Sequence, residues 1–155
     1  MDVTGCLTEE EAQLWRDWTR LHAETTSALQ RDLQADGLSA PDFDVLVHLA
    51  ADPDGRVRVT DLAGLLQWER SRLSHHVVRM EHRDLVQRID CAEDGRGAFV
   101  AITPAGRSAV GRAAPGRART VRRLLFDALG ADDVAHLARI VATLRGVPDE
   151  ERPAS

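Results

Sequence analysis

The chain has 155 residues, 43% apolar and 29% charged, ordinary proportions for a globular protein with a core. No apolar run approaches the ~20 residues of a membrane span, and the acidic start MDVTGCLTEEE lacks the basic and apolar regions of a signal peptide, so a cytoplasmic protein is expected. Two cysteines, Cys6 and Cys91, are too few for a disulfide scaffold and by themselves too few for a structural zinc site.

The net charge of −5 hides an uneven distribution. Residues 1–55 carry 3 arginines against 12 acids, residues 56–123 carry 14 against 7, and residues 124–155 carry 3 against 6. A basic middle between acidic ends suits a segment that neutralises phosphates, or else a solvated arginine face.

Leu7–Ala35 reads as a long first helix, capped by Thr8, with Glu9, Glu10 and Glu11 at its positive end and Asp36-Gly37 ending it. Ser39 caps a second helix with Pro41 early in it and Phe43, Leu46, Val47 and Ala50 on one face. Asp52-Pro53-Asp54-Gly55 is a turn, and residues 56–59 alternate basic and apolar as one short strand would. Thr60 is expected to cap a third helix over 61–66. Residues 67–70 make a tight connection, and residues 71–83 form a fourth helix with Leu73, Val77 and Met80 inward. Two short helices so joined read as helix-turn-helix. Residues 85–90 and 98–102 are the strands of a β-hairpin around the polar loop 91–97. Thr103-Pro104 opens a fifth helix expected to reach Leu129, with a kink near Pro115-Gly116, and a sixth covers 133–144. The fold class is therefore mostly α with a small β-wing (α+β). Leu14, Trp18, Leu21, Leu124, Leu125, Leu137 and Ile140 are more apolar surface than one small winged domain covers, which predicts a homodimer built from both ends of the chain.

The fourth helix has the outer face that a major groove requires: Arg70, Ser71, Arg72, Ser74, His75, His76 and Arg79. Arg72 and His75 can donate to guanine N7 or O6, Ser71 and Ser74 can reach a base edge or a phosphate, and Arg79, further along, suits the backbone. A merely solvated face is the plain alternative. Neighbouring histidines on a helix diverge by about 100°, so His75 and His76 do not suit one metal ion. At the hairpin tip, Asp94-Gly95-Arg96-Gly97 sets an arginine between two glycines. It can enter a narrow minor groove with Asp94 holding it extended, or stay solvated on a plain turn.

These segments, SRLSHHVVRMEHRDLV, then DGRG, then FVAITPAG, resemble the multiple antibiotic resistance regulator (MarR) family of bacterial winged helix-turn-helix repressors, and the layout agrees across nearly the whole chain. The resemblance implies one domain over 1–155, with 39–102 as the DNA-binding lobe and 7–35 and 104–145 as dimerisation helices. Ser71, Arg72, Ser74, His75 and Arg79 would read the major groove, and Asp94 with Arg96 would form the wing contact. One departure is Asp84, where the family has glycine. Aspartate tolerates the left-handed conformation, so the turn is expected to survive.

The resemblance also implies an anionic or phenolic aromatic effector held between the dimer helices and the DNA-binding lobe. Trp15, Trp18, His22, His48 and Arg112 are the candidates, against the plainer roles of dimer core and structural histidine. Peroxide sensing by Cys6 is a further reading, although the tyrosines that serve such a cysteine in relatives are missing here, and oxidation of Cys91 would disturb the wing. Zinc sensing by His22, His48 or His136 lacks any ligand spacing. No phosphate loop or catalytic pattern appears, so no enzyme and no cofactor are expected. The expectation is a homodimeric regulator, a repressor that binds a pseudo-palindromic operator and answers to a small effector. A cysteine redox regulator and a winged-helix module that binds protein instead of DNA are the alternatives.

Overall fold

The computed structural model describes residues 6–90 and 98–146. Its elements run α1 (Glu9–Ala35), α2 (Ala40–Ala51), β1 (Arg56–Arg58), α3 (Val59–Leu66), α4 (Arg70–Glu81), β2 (Val86–Asp90), β3 (Ala98–Ile102), α5 (Pro104–Val121), a π-helical turn (Arg122–Phe126) and α6 (Ala131–Arg145). The chain divides into two compact units, residues 1–118 and 119–155. Among the described residues no helix is long and apolar enough to cross a membrane.

Reciprocal capping boxes start the first two helices. Thr8 N donates to Glu11 Oε2 at 2.8 Å while Glu11 N donates to Thr8 Oγ1 at 3.3 Å. Ser39 N donates to Asp42 Oδ2 at 2.9 Å while Asp42 N donates to Ser39 Oγ at 3.2 Å. Three helices then end alike. Leu38 N reaches Leu33 O and Gly37 N reaches Gln34 O after α1; Trp68 N reaches Ala63 O after α3; Leu85 N reaches Met80 O after α4. Each such end turns on a residue with positive φ: Gly37 at 73°, Gln67 at 54° and Asp84 at 55°. Asp84 thus adopts the left-handed conformation expected of it, in place of a glycine.

Two helix starts differ from expectation. α3 begins at Val59 with Arg58 as its cap, and Thr60 lies inside the first turn with its hydroxyl 3.1 Å from Asp61 Oδ1. α4 begins at Arg70 and stops at Glu81, so Arg83 leaves the helix for a different task. α5 starts as read: Thr103 Oγ1 donates to Asp84 O at 2.6 Å and accepts from Gly106 N at 2.9 Å. Gly106 is buried there, and a Cβ on it would meet Leu85 O at 2.1 Å, so only glycine lets α5 lie this close to the chain entering β2. Helical structure continues through Pro115 and passes into the π-helical turn, and α6 extends to 131–145.

The hairpin gains a third strand. The sheet order is β1-β3-β2, all antiparallel, with Arg58 opposite Phe99 and Ile89 opposite Phe99 on the other side. Val86 and Val100 turn into the core beside half-buried Val57. Leu33, Val45, Leu46, Leu49, Leu62, Leu73, Met80 and Val100 are its fully buried centre, drawn from α1, α2, α3, α4 and β3. Outside it, α1 leaves Leu14, Trp15, Trp18 and Leu21 exposed. In the second unit, Phe126, Ile140, Val141 and Leu144 are exposed.

One polar group crosses the helix-turn-helix lobe. Asp42, 2% exposed, caps Ser39 at the start of α2 and also receives Arg83 Nη1 at 2.7 Å from beyond α4. Arg83 Nη2 donates to the Gly37 carbonyl in the same turn. His76 Nε2 of α4 stands 3.0 Å from Asp42 Oδ1, at an angle short of a straight hydrogen bond. Burial would push the Asp42 carboxyl up, but the contacts from His76, Ser39 and Arg83 together hold it well below the usual carboxylate range. A depressed carboxyl stabilises the fold above its unfolded value near ~4, and that stability is lost as pH falls through the folded value. Asp42→Asn is expected to cost about 2–3 kcal/mol in urea unfolding at pH 7. The gap from the unchanged protein should narrow as pH falls from ~4 to ~3; a gap constant with pH contradicts the assignment.

Candidate nucleic-acid interface

α3 and α4 meet across the three residues 67–69, and the left-handed Gln67 makes the reversal. The inner face of α4 is Leu73, His76, Val77 and Met80, all buried. Its outer face is Arg70, Ser71, Arg72, His75, Val78 and Arg79, all exposed, with Ser74 half-buried at the edge. The 3.6-residue period divides the sequence RSRLSHHVVRM into these two faces.

Six of the seven predicted α4 residues therefore stand on or beside the outer face. Arg70, Ser71 and His75 make no side-chain hydrogen bond or ion pair with any described residue, so their donors are free. Ser74 Oγ donates back to Arg70 O at 2.9 Å and keeps its lone pairs for another donor. Arg72 lies over the Trp68 indole, 4.5 Å from its centroid. Arg79 is exposed but spends one donor on His76 Nδ1 at 2.9 Å.

His76 is a correction. It is 7% exposed and packed inward, with Arg79 on one ring nitrogen and Asp42 beside the other. A donor on Nδ1 leaves the ring proton on Nε2, facing Asp42. With one nitrogen taken by Arg79 and the other beside Asp42, it has nothing to offer a base. It stands one residue past His75, and the 100° step carries it from the wet face to the dry one.

Two residues on this surface were not singled out from the sequence. Trp68 is half-buried before α4 and carries Arg72 on its face, with the His76 ring meeting it edge-on at 5.5 Å and 89°. Its spacing of four residues from Arg72 was the available signal. Val78, 45% exposed amid polar neighbours, is a methyl-bearing group of the kind that meets thymine.

The sheet adds charge beside the helices. Arg56 and Arg58 both lie over the Phe99 ring, at 5.4 and 4.8 Å, on the sheet face away from the core. Asp94, Arg96 and Cys91 fall outside the described residues.

The effector candidates lie on three helices. Trp15, Trp18 and His22 are exposed on α1, and Arg112 is exposed on α5 with Nη1 donating to Ser108 Oγ at 2.8 Å. His48 is half-buried on α2, its Nδ1 2.8 Å from Asp44 O. No hydrogen bond, ion pair or ring contact joins any two of the five. Cys6 is a free, exposed thiol.

A model of the MarR family matches residues 36–97, from the turn before α2 to the wing. A search of curated protein sequences finds no match. Among solved structures, AbsC, a MarR family transcriptional regulator from Streptomyces coelicolor, is 36% identical over 91% of this chain and 98% of its own, with a TM-score of 0.83. Sco3205, a MarR family transcriptional regulator from the same organism, solved in complex with DNA, is 36% identical over 96% of this chain and 95% of its own, with a TM-score of 0.86. A mutant MarR from E. coli complexed with operator DNA shares the fold at 21% identity and a TM-score of 0.76, over 89% and 97% of the two chains. Identity above a third along almost the full length of two such regulators, on a helix-turn-helix with a three-stranded wing, makes this chain a member of the MarR family of transcriptional regulators and not an enzyme.

Proposed function

We propose that the protein is a homodimeric, sequence-specific DNA-binding repressor in the cytoplasm. The observation that carries this reading is the outer face of α4, where free arginine, serine and histidine groups stand on a helix locked into a helix-turn-helix. The DNA-bound state of the similar Sco3205 supports it. Arg72 and His75 would read base edges, Ser71 and Ser74 a base edge or a phosphate, and Arg70 and Arg79 the backbone. Arg96, with Asp94, would enter the minor groove from the wing. A wet, basic face suits phosphate and base edges better than a protein partner, whose hot spots are aromatic and desolvated.

The exposed apolar side chains of α1, and separately those of α6, support the dimer. Two copies of α4 would then meet half-sites of a pseudo-palindrome roughly 34–36 Å apart, and a dimer so seated would block the neighbouring promoter. A small aromatic or anionic effector is the modulator that the half-exposed indoles of Trp15 and Trp18 suit best.

Selection of bound duplexes from a random library should show Arg72→Ala or His75→Ala changing the preference at one position per half-site. Unchanged preference in both would refute base reading by α4. Arg96→Ala should weaken binding to every sequence and lower the slope of log K against log salt by about one. An unaltered gel-shift titration would remove the wing from the interface. Sedimentation at micromolar concentration should find a dimer, and a folded monomer there would contradict the assembly.

A further inference from the structure

We propose that Trp68 is a positioning residue for sequence reading: its indole is a platform that fixes the Arg72 guanidinium while leaving its donors free. The proposal rests on the reading of α4 as the base-contacting helix.

Trp68 is itself held firmly. Its backbone N–H is bonded to Ala63 O at 2.9 Å, closing α3, and the next residue, Glu69, is the N-cap of α4. Trp68 and Leu73 occupy the two positions of a hydrophobic staple, and the indole packs half-buried against the core. Behind it stands His76, edge-on at 5.5 Å, which is fixed in turn by Arg79 and Asp42. Arg72 lies on the outward side, 4.5 Å from the ring centroid.

The mode of attachment matters. Arg83 is also held in place, but by donating to Asp42 and Gly37, and Arg79 gives one donor to His76. Arg72 has no ion pair or side-chain hydrogen bond with a described residue. A guanidinium drawn to a π face is held without spending an N–H on an acceptor, so its N–H groups stay available for the two-pronged contact with guanine O6 and N7. The ring contact therefore removes rotamer freedom from the reading arginine without using its hydrogen bonds, which is how a positioned side chain gains discrimination.

The test uses the full chain and a duplex selected from a random library by the unchanged protein, together with its single-base-pair variants and an unselected duplex. Thermal melts first establish folding. Arg72→Ala should flatten discrimination at one base pair per half-site by about tenfold or more. Trp68→Leu should flatten the same base pair and no other, by about three- to fivefold. Trp68→Phe, which keeps a flat ring, should restore most of it. Trp68→Leu with Arg72→Ala should discriminate no worse than Arg72→Ala alone. Affinity for the unselected duplex and its salt slope should stay unchanged in Trp68→Leu. If that variant fails to melt cooperatively, Trp68→Met replaces it, a core-filling side chain without a ring. A loss spread over every position and the unselected duplex is what a structural tryptophan would give, and it overturns the proposal. So does undiminished discrimination when Trp68 is changed. If Arg72→Ala itself alters no base preference, the reading of Arg72 as a base contact falls, and the platform falls with it.

Discussion

The Asp42 carboxylate is a charge taken almost wholly out of water, and the DNA-binding lobe is arranged around satisfying it. Ser39 gives it a backbone donor at the start of α2, Arg83 gives a guanidinium from beyond α4, and His76 approaches from the middle of α4. The apolar centre, with Leu46, Leu62, Leu73 and Met80, supplies most of the cohesion between these helices, but burial is non-directional. A hydrocarbon contact tolerates a rotated or slipped helix more readily than a carboxylate with three partners does. Here the polar cluster would set which residues of α4 face out, one use of a buried ionic group beyond stability.

From that cluster the order runs outward. His76 is engaged on one nitrogen by Arg79 and meets Trp68 with its ring, and Trp68 carries Arg72. Residues on the wet face of α4 are thereby connected to the core through the buried His76 and the half-buried Trp68. The same arrangement explains why one of two adjacent histidines is free and the other is not.

Much of this was legible in the sequence. Thr8, Ser39 and Thr103-Pro104 marked helix starts correctly because capping is local chemistry between residues three apart. The inner positions Leu73, Val77 and Met80 followed from the helical period. Thr60 misled because its hydroxyl met Asp61 instead of capping α3, which β1 feeds directly. Asp42 was not singled out in the sequence; its partner Arg83 lies 41 residues away, a separation no local pattern encodes. His76 failed for a related reason. Its polarity suggested the wet face, and only a buried acid on another helix made the dry one tolerable. The third strand, β1, paired with β3 across more than forty residues and was visible only as a short alternation.

The account stands on α4 entering the groove with its outer face. Affinity cleavage tests that most directly. With Cys6→Ser and Cys91→Ser in place, a metal chelate that cuts DNA is attached through Ser71→Cys, and the protein is bound to a selected operator. The account predicts two cleavage clusters, one in each half-site, centred about 10 base pairs apart, with a strand offset characteristic of the major groove. Cleavage absent from both half-sites, while the tethered protein still binds, would contradict it.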